Sequence, residues 1–274
     1  MAGTSRGRVI AAVVAVGATA IVFARAFPDR ESAGSSPAGV TRSVRTDLAV
    51  DLPLDPGRAD APAPKAPVAP VRIAVKNATV AAATPPQARV APIELVAADA
   101  LSDLQWDAGS GDLRERDEVV ARRIGPGDLP AAADRVALLR RVRDFVQSGG
   151  QAIRLSPDGR SFRLGADIDL TLPKSAGRAI VVASVAGDGK VSLLYPLRGD
   201  RPVAEGDVQI QLTASEPEGV EQIVALATDR ELTALVTSLR RLDGRRAAGE
   251  LLGLVDSIDR SGLVVGLQSI LIQR

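Results

Sequence analysis

Three glutamates, Glu216, Glu218 and Glu221, fall within six positions, and two aspartates, Asp167 and Asp169, share one face of a predicted strand. A close carboxylate pair is the acid and base of glycoside hydrolysis. Aspartates grouped with turn residues such as Asp188 and Asp200 are the oxygen donors that calcium takes. Neither pattern is complete. Sugar enzymes generally also need aromatic platforms, and the chain beyond residue 95 has only Trp106, Phe145, Phe162 and Tyr195. No DxDxDG loop occurs, and aspartate is the ordinary residue of a polar turn. The segment Gly187-Asp188-Gly189-Lys190 ends like a phosphate loop. That loop requires GxxxxGK[ST] leading from a strand into a helix, whereas Ser192 falls in a predicted strand. The 274 residues contain neither histidine nor cysteine. Ser-His-Asp hydrolysis, thiol proteolysis and histidine- or cysteine-ligated zinc are thereby excluded. No catalytic, cofactor-binding or metal-ligating residue is assigned, and the expectation is a non-catalytic protein without a cofactor. Three residues are left for recognition. They are Tyr195, which otherwise reads as a half-buried strand end with its hydroxyl at the rim, Arg198, whose Arg-Gly-Asp tripeptide otherwise reads as a polar hairpin loop, and Trp106.

The charge balance narrows the partners. Net charge is +1 over the whole chain. Beyond residue 95, 23 Lys+Arg face 26 Asp+Glu, a net charge of −3. Phosphate neutralisation needs a basic excess, so nucleic acid is not an expected partner. Hydrophobic residues make up 46% of the chain but aromatics only 2%, so a core must be built from Ala, Val, Leu and Ile. The lack of cysteine excludes disulfides without choosing a compartment.

The elements that would position any site begin after a long N-terminal preamble. Val9 to Ala24 is an unbroken apolar and small-residue run, with Arg6 and Arg8 before it and Arg25 after it. Residues 1–27 read as an uncleaved signal anchor, with the arginines snorkelling to make up its length. Ala24-Arg25-Ala26 has the small-x-small form of a cleavage site, and a cleaved secretory signal is the alternative. Either way the leading arginines favour a cytoplasmic N-terminus and an exported C-terminal domain. The expected location is a bacterial inner membrane, crossed once, with the domain in the periplasm. Residues 28–95 hold 11 of the 18 prolines, including APAPKAPVAP from Ala61 to Pro70. This composition reads as a disordered Pro/Ala-rich linker, with Val71 to Val75 unstructured among the flanking prolines and a short strand or docking peptide as the alternative.

From residue 96 the pattern becomes periodic. Ala131 to Gln147 predicts a helix, with Val136, Leu139, Val142 and Val146 on its core face. Arg135, Arg140, Arg141 and Arg143 lie on a solvated face diluted by Asp134 and Asp144. Short strands follow at 152–155, 161–164, 167–172, 178–186, 190–195, 208–214 and 220–227. The pair from Ile180 to Tyr195 reads as a hairpin turning at Gly187 and Gly189. Thr228-x-x-Glu231 has the form of a capping box ahead of Leu232, Leu235, Leu239 and Leu242, and Gly244 should end that helix. A second helix over Ala248 to Ile258 and a final strand over Leu263 to Ile272 complete the chain. The expected fold class is α+β, an antiparallel, sandwich-like β-domain with flanking helices over 96–274.

The order AGDGKVSLLYPL (Ala186 to Leu197), then EPEGVEQIVALATDREL (Glu216 to Leu232), is similar to the C-terminal domain of unknown function that follows the protease in bacterial caspase-family proteins. Related copies follow some bacterial protein kinases. Trp106 with Gly109 and Gly111, Asp117 to Arg122, Pro157-Asp158-Gly159, Leu242-Asp243-Gly244 and Gly266 extend the resemblance over about residues 100–274. The caspase-like domain itself is missing, so the resemblance implies no protease activity. Where related sequences often carry an aromatic and a histidine before Val220, this chain has Gly219 and Gln222. The expected function is a membrane-tethered, exported interaction or ligand-sensing module, binding a protein or an envelope polymer. The alternative is a non-catalytic subunit or remnant of a caspase-like effector system, acting with a separately encoded protease or kinase.

Overall fold

The computed structural model describes residues 67–79, 90–146, 150–201 and 203–274. The expected anchor and most of the expected linker lie outside them. Among the described residues no helix is long and apolar enough to cross a membrane. Among the described residues the fold is a β-dominated α+β arrangement of three sheets and three helices.

The first sheet departs from the sequence reading. Val71–Lys76 is a strand (β1), paired in parallel with β2 (Ile93–Ala97) on one side and with β3 (Leu104–Asp107) on the other. β4 (Leu113–Glu115) and β5 (Glu118–Ala121) complete the order β2-β1-β3-β4-β5. Val71 and Ile73 are fully buried in the core, so the expected linker boundary at residue 95 is wrong. The prolines that suggested otherwise stand just outside the strands. Pro70 precedes β1 and Pro92 precedes β2, where a missing N–H costs no ladder bond. The Pro92 carbonyl instead accepts the Val71 N–H at 2.8 Å.

A short 3-10 turn (Pro126–Asp128) leads into helix α1 (Leu129–Val146). Its apolar face is buried as the periodicity requires, but the expected solvated face is not uniformly so. Asp134 and Arg135 are both buried. Asp134 accepts the Ala91 N–H at 2.8 Å, and Arg135 pairs with Glu115 at 3.2 Å. α1 packs against α3 and also against β14 and β1, so more than one of its faces is covered and the one-face pattern is overridden.

The second sheet has the order β13-β10-β9-β12-β14-β7. Its strands are β7 (Ser161–Arg163), β9 (Ala179–Val185), β10 (Lys190–Tyr195), β12 (Gly219–Thr228), the two-residue β13 (Arg245–Arg246) and β14 (Val264–Gln273). One face carries Val181, Val185, Val191, Val224 and Leu226 into a core shared with α1, α2 (Thr233–Leu242) and α3 (Ala248–Ser257). The opposite face carries Ile180, Val182, Ile223, Ala225, Ile270 and Ile272 into a second core. That second core is closed by the third sheet, β11-β8-β6, made of β6 (Arg154–Ser156), β8 (Asp167–Leu172) and β11 (Val208–Thr213). Burial on both faces explains why β9 reads AIVVASV with no polar alternation. β8 and β11 bury one face only and alternate strictly.

The expected hairpin exists as β9 and β10, with Ser192 opposite Ser184. The expected capping box does not. Thr228 is the last residue of β12, and helix α2 begins at Thr233 with Leu232 before it. The Thr228 hydroxyl accepts the Arg230 N–H at 3.2 Å, forming a turn that ends a strand. At the other end of α2, Gly244 takes the left-handed conformation (φ +74°) and donates its N–H to the Val191 carbonyl.

Candidate functional site

The two glycines of the Gly187-Asp188-Gly189-Lys190 turn serve packing. A Cβ on Gly187 would lie 1.8 Å from the Val120 carbonyl oxygen, and one on Gly189 would lie 2.4 Å from that of Ala131. The Gly189 carbonyl in turn accepts the N–H groups of Ala247 and Ala248, supporting the start of α3. Asp188 accepts the Lys190 N–H at 3.0 Å and pairs with Arg246 at 2.9 Å. These backbone groups are committed to the fold.

The residues expected to form a recognition surface are not brought together. Trp106 is 4% exposed, lies in the core between the sheets and helices, and donates its indole N–H to the Ile124 carbonyl at 2.8 Å. Tyr195 is 5% exposed and belongs to the other core. Its hydroxyl donates to the Arg201 carbonyl at 3.2 Å, and burial first, then the negative charge of Asp200, push its pKa up. Both are large side chains needed to fill space in a chain poor in aromatics. Only Arg198 is exposed, in a turn closed by the Leu197 N–H donating to Asp200 at 2.7 Å.

Of the acidic candidates, Glu216 and Glu218 share Arg274, Glu216 lines one cleft with Glu221, and Asp167 and Asp169 stand apart on β8. Glu218 pairs with Arg274 at 2.6 Å and with Arg122 at 3.6 Å, and Glu216 also meets Arg274. Asp167 accepts the Thr213 hydroxyl at 3.0 Å, and Asp169 sits on the exposed face of β8. Among the described residues no three acidic groups lie close enough to hold a metal ion.

Glu221 has a different setting. Along β12 the odd positions 223, 225 and 227 face the core between the two stacked sheets, so Glu221 is on that same face. By the same alternation Ser184 on β9 joins Ile180 and Val182 there, and Lys190 and Ser192 on β10 join Leu194. The register sets Ser192 opposite Ser184, with Ile223 on the other side of Ser184. One step along, Ala186 donates its N–H to the Lys190 carbonyl at 2.9 Å, and the β9–β12 pairing places Glu221 beside Ala186. Lys190 and Glu221 therefore flank one small side chain. At this end the buried face of a stacked sheet changes from Ile and Val to Lys, Glu and two serines.

A cleft of about 40 Å³ opens there, lined by these four polar residues, by Leu194 and Ile223, and by Leu212 to Pro217 at the end of β11. That volume accommodates a water or the tip of one side chain. Glu221 is only partly exposed, and desolvation raises its pKa above the ordinary glutamate range. Lys190 and a hydrogen bond from the Ser184 hydroxyl act against this, while Asp188 adds to it. A partly buried carboxyl beside an ammonium and two hydroxyls offers several hydrogen-bonding groups to a polar group entering from outside. The sequence signal for this site was the charged residue inside the otherwise apolar run of β12, together with the two serines at inward positions of β9 and β10.

No protein-family model matches the chain, and no curated protein matches it.

Proposed function

We propose that the chain is a non-catalytic interaction or ligand-sensing module that takes its ligand at the mouth between its second and third sheets. One observation carries this reading: Ser184, Lys190, Ser192 and Glu221 interrupt a sheet face that is otherwise apolar and buried. Polar groups there cost stability in a layer whose neighbours are Ile, Val and Leu, and such a cost is commonly retained for binding. The cleft is a notch suited to one protruding group. The apolar run at 9–24, with its flanking arginines, and the proline-rich segment after it support an exported domain tethered to a membrane. The resemblance to domains attached to bacterial caspase-family proteases supports the alternative role, a subunit that works with a separate protease or kinase.

A photocrosslinking amino acid at Ser192 of the full chain in cells tests the reading, with the same group at exposed Arg163 as the control. Capture of an identified molecule from position 192, lost when Lys190 and Glu221 are both changed to alanine, is the expected result. Equal capture from both positions overturns it. A protease or kinase as the captured molecule selects the effector-subunit role.

A further inference from the structure

Strand register orders the polar groups of the cleft. Lys190, Ala186 and Glu221 stand in one row across β10, β9 and β12, and Ser192 and Ser184 stand in the next row towards the sheet centre. Lys190 and Glu221 therefore face each other across the methyl group of Ala186, their Cβ atoms two strand spacings, or about 9.6 Å, apart. Among the described residues they form no ion pair, and the cleft is the space between them. Ile168 of β8 and Leu212 of β11 close it from the covering sheet.

The two walls select a neutral group. Lys190 can only donate hydrogen bonds, whereas the carboxyl of Glu221 accepts them. A carboxylate between the walls would meet Glu221, and an ammonium would meet Lys190. A hydroxyl has its donor and acceptor on one atom and reaches one wall at a time. A trans secondary amide carries them on opposite sides of a flat group, its carbonyl towards one wall and its N–H towards the other. The volume of about 40 Å³ admits only a few heavy atoms, and the floor and roof are apolar, so one flank of that amide ends in a methyl group. We infer that the cleft binds the acetamido group of an N-acetylated amino sugar, with its carbonyl accepting from Lys190 and its N–H donating to Glu221.

The sugar ring itself stays at the rim. Thr213, Ser215 and Glu216 line the opening, and Thr213 and Glu216 are exposed. Two hydroxyls and a carboxylate there complement ring hydroxyls, and they offer nothing to the aliphatic stem of an acetylated lysine. This inference rests on the cleft being a binding site and adds the group that fills it.

An amide-resolved NMR titration of the full chain with N-acetylglucosamine, glucosamine, glucose and acetyl-lysine tests it. The expected result is saturable shifts at Ser184, Ala186 and Glu221 with N-acetylglucosamine, and at least tenfold weaker binding of the other three. Ala186→Val fills the space between the walls without changing a polar group, and should abolish these shifts while leaving the thermal transition in place. Lys190→Met should weaken binding at least tenfold, and it decides the matter if Ala186→Val does not fold. Glucosamine, glucose or acetyl-lysine binding as tightly as N-acetylglucosamine overturns the inference. So do shifts confined to other residues, or binding unaltered in folded Ala186→Val or in Lys190→Met. If Ser192 crosslinks a specific molecule in cells while N-acetylglucosamine shifts nothing, the acetamido assignment fails and the binding-module reading stands. If position 192 also captures nothing beyond its control, both fail.

Discussion

The α-carbon of Gly187 sits so close to the carbonyl oxygen of Val120 that a Cβ at position 187 would approach it to 1.8 Å. Gly219 presses on the same oxygen, where a Cβ would reach 2.4 Å. The last strand of the first sheet thus meets the second sheet through backbone, at two positions where no side chain fits.

Gly187→Ala should therefore destabilise the protein by roughly 2–4 kcal/mol, because neither of the two backbones in contact can yield as a side chain would. Gly253 is the internal control. It lies within α3 with open space around its missing Cβ, so Gly253→Ala should stabilise by about 1 kcal/mol. Urea denaturation of the two variants checks both signs. A neutral Gly187→Ala would show that the two sheets are not packed this closely.

Arg135 and Glu115 give a second prediction. The Arg135 side chain is 0% exposed, its Nη1 pairs with Glu115 at 3.2 Å, and its Nε and Nη2 have no hydrogen-bond partner. Burial lowers its pKa, and the Glu115 carboxylate opposes that shift. Glu115→Gln leaves a buried, uncompensated guanidinium and should cost about 3–5 kcal/mol. Arg135→Met removes the charge and the unsatisfied donors together and should be neutral or stabilising. The double variant should recover most of the loss, and a double-mutant cycle measures the coupling.

The sequence was most legible where one physical requirement acted alone. β8 and β11 bury one face and alternate visibly, and the turn glycines mark the β9–β10 hairpin. Sequence reading failed where two requirements competed. Around β1 the prolines outweighed a six-residue alternation, although both Pro70 and Pro92 stand outside the ladder. Short strands such as β4, with three residues, leave too few positions for a period to appear. The capping pattern at Thr228 was matched by a strand-ending turn that uses the same hydroxyl. Trp106 and Tyr195 each fill one of the two cores, and no local pattern distinguishes such a buried aromatic from an exposed one. The polar cleft depends on three strands in register, and no local window contains it.

The position of β1 makes the domain boundary testable. β1 lies between β2 and β3, and Val71, Ile73 and Val75 are part of the principal core. A chain beginning at residue 96 lacks that strand and leaves Leu104, Trp106 and Leu129 without it. It should show no cooperative thermal transition and red-shifted fluorescence from its single tryptophan. A chain beginning at residue 67 should unfold in one transition with Trp106 emission characteristic of a buried indole. Cooperative unfolding of the shorter chain would remove β1 from the folding unit.

The last prediction concerns pH. Desolvation holds the Glu221 pKa above that of the same group in the unfolded chain, against the opposing effects of Lys190 and Ser184. Below the unfolded value the carboxyl is protonated in both states and costs nothing. As pH rises from there through the folded pKa, the unfolded chain has already released the proton while the folded protein still binds it, so stability falls with pH across that window. Beyond it, Glu221 is ionised in both states and the penalty is constant. Glu221→Gln should match the wild type in acid and become the more stable protein as pH rises, with the difference levelling off once the folded carboxyl has ionised. Lys190→Met should extend the window to higher pH, because it removes a positive charge that lowers the Glu221 pKa. Denaturation of the three proteins at matched pH values, read as differences from the wild type, cancels the titration of the remaining carboxylates. A Glu221→Gln difference that does not change with pH would mean that the carboxyl is solvated in the folded protein.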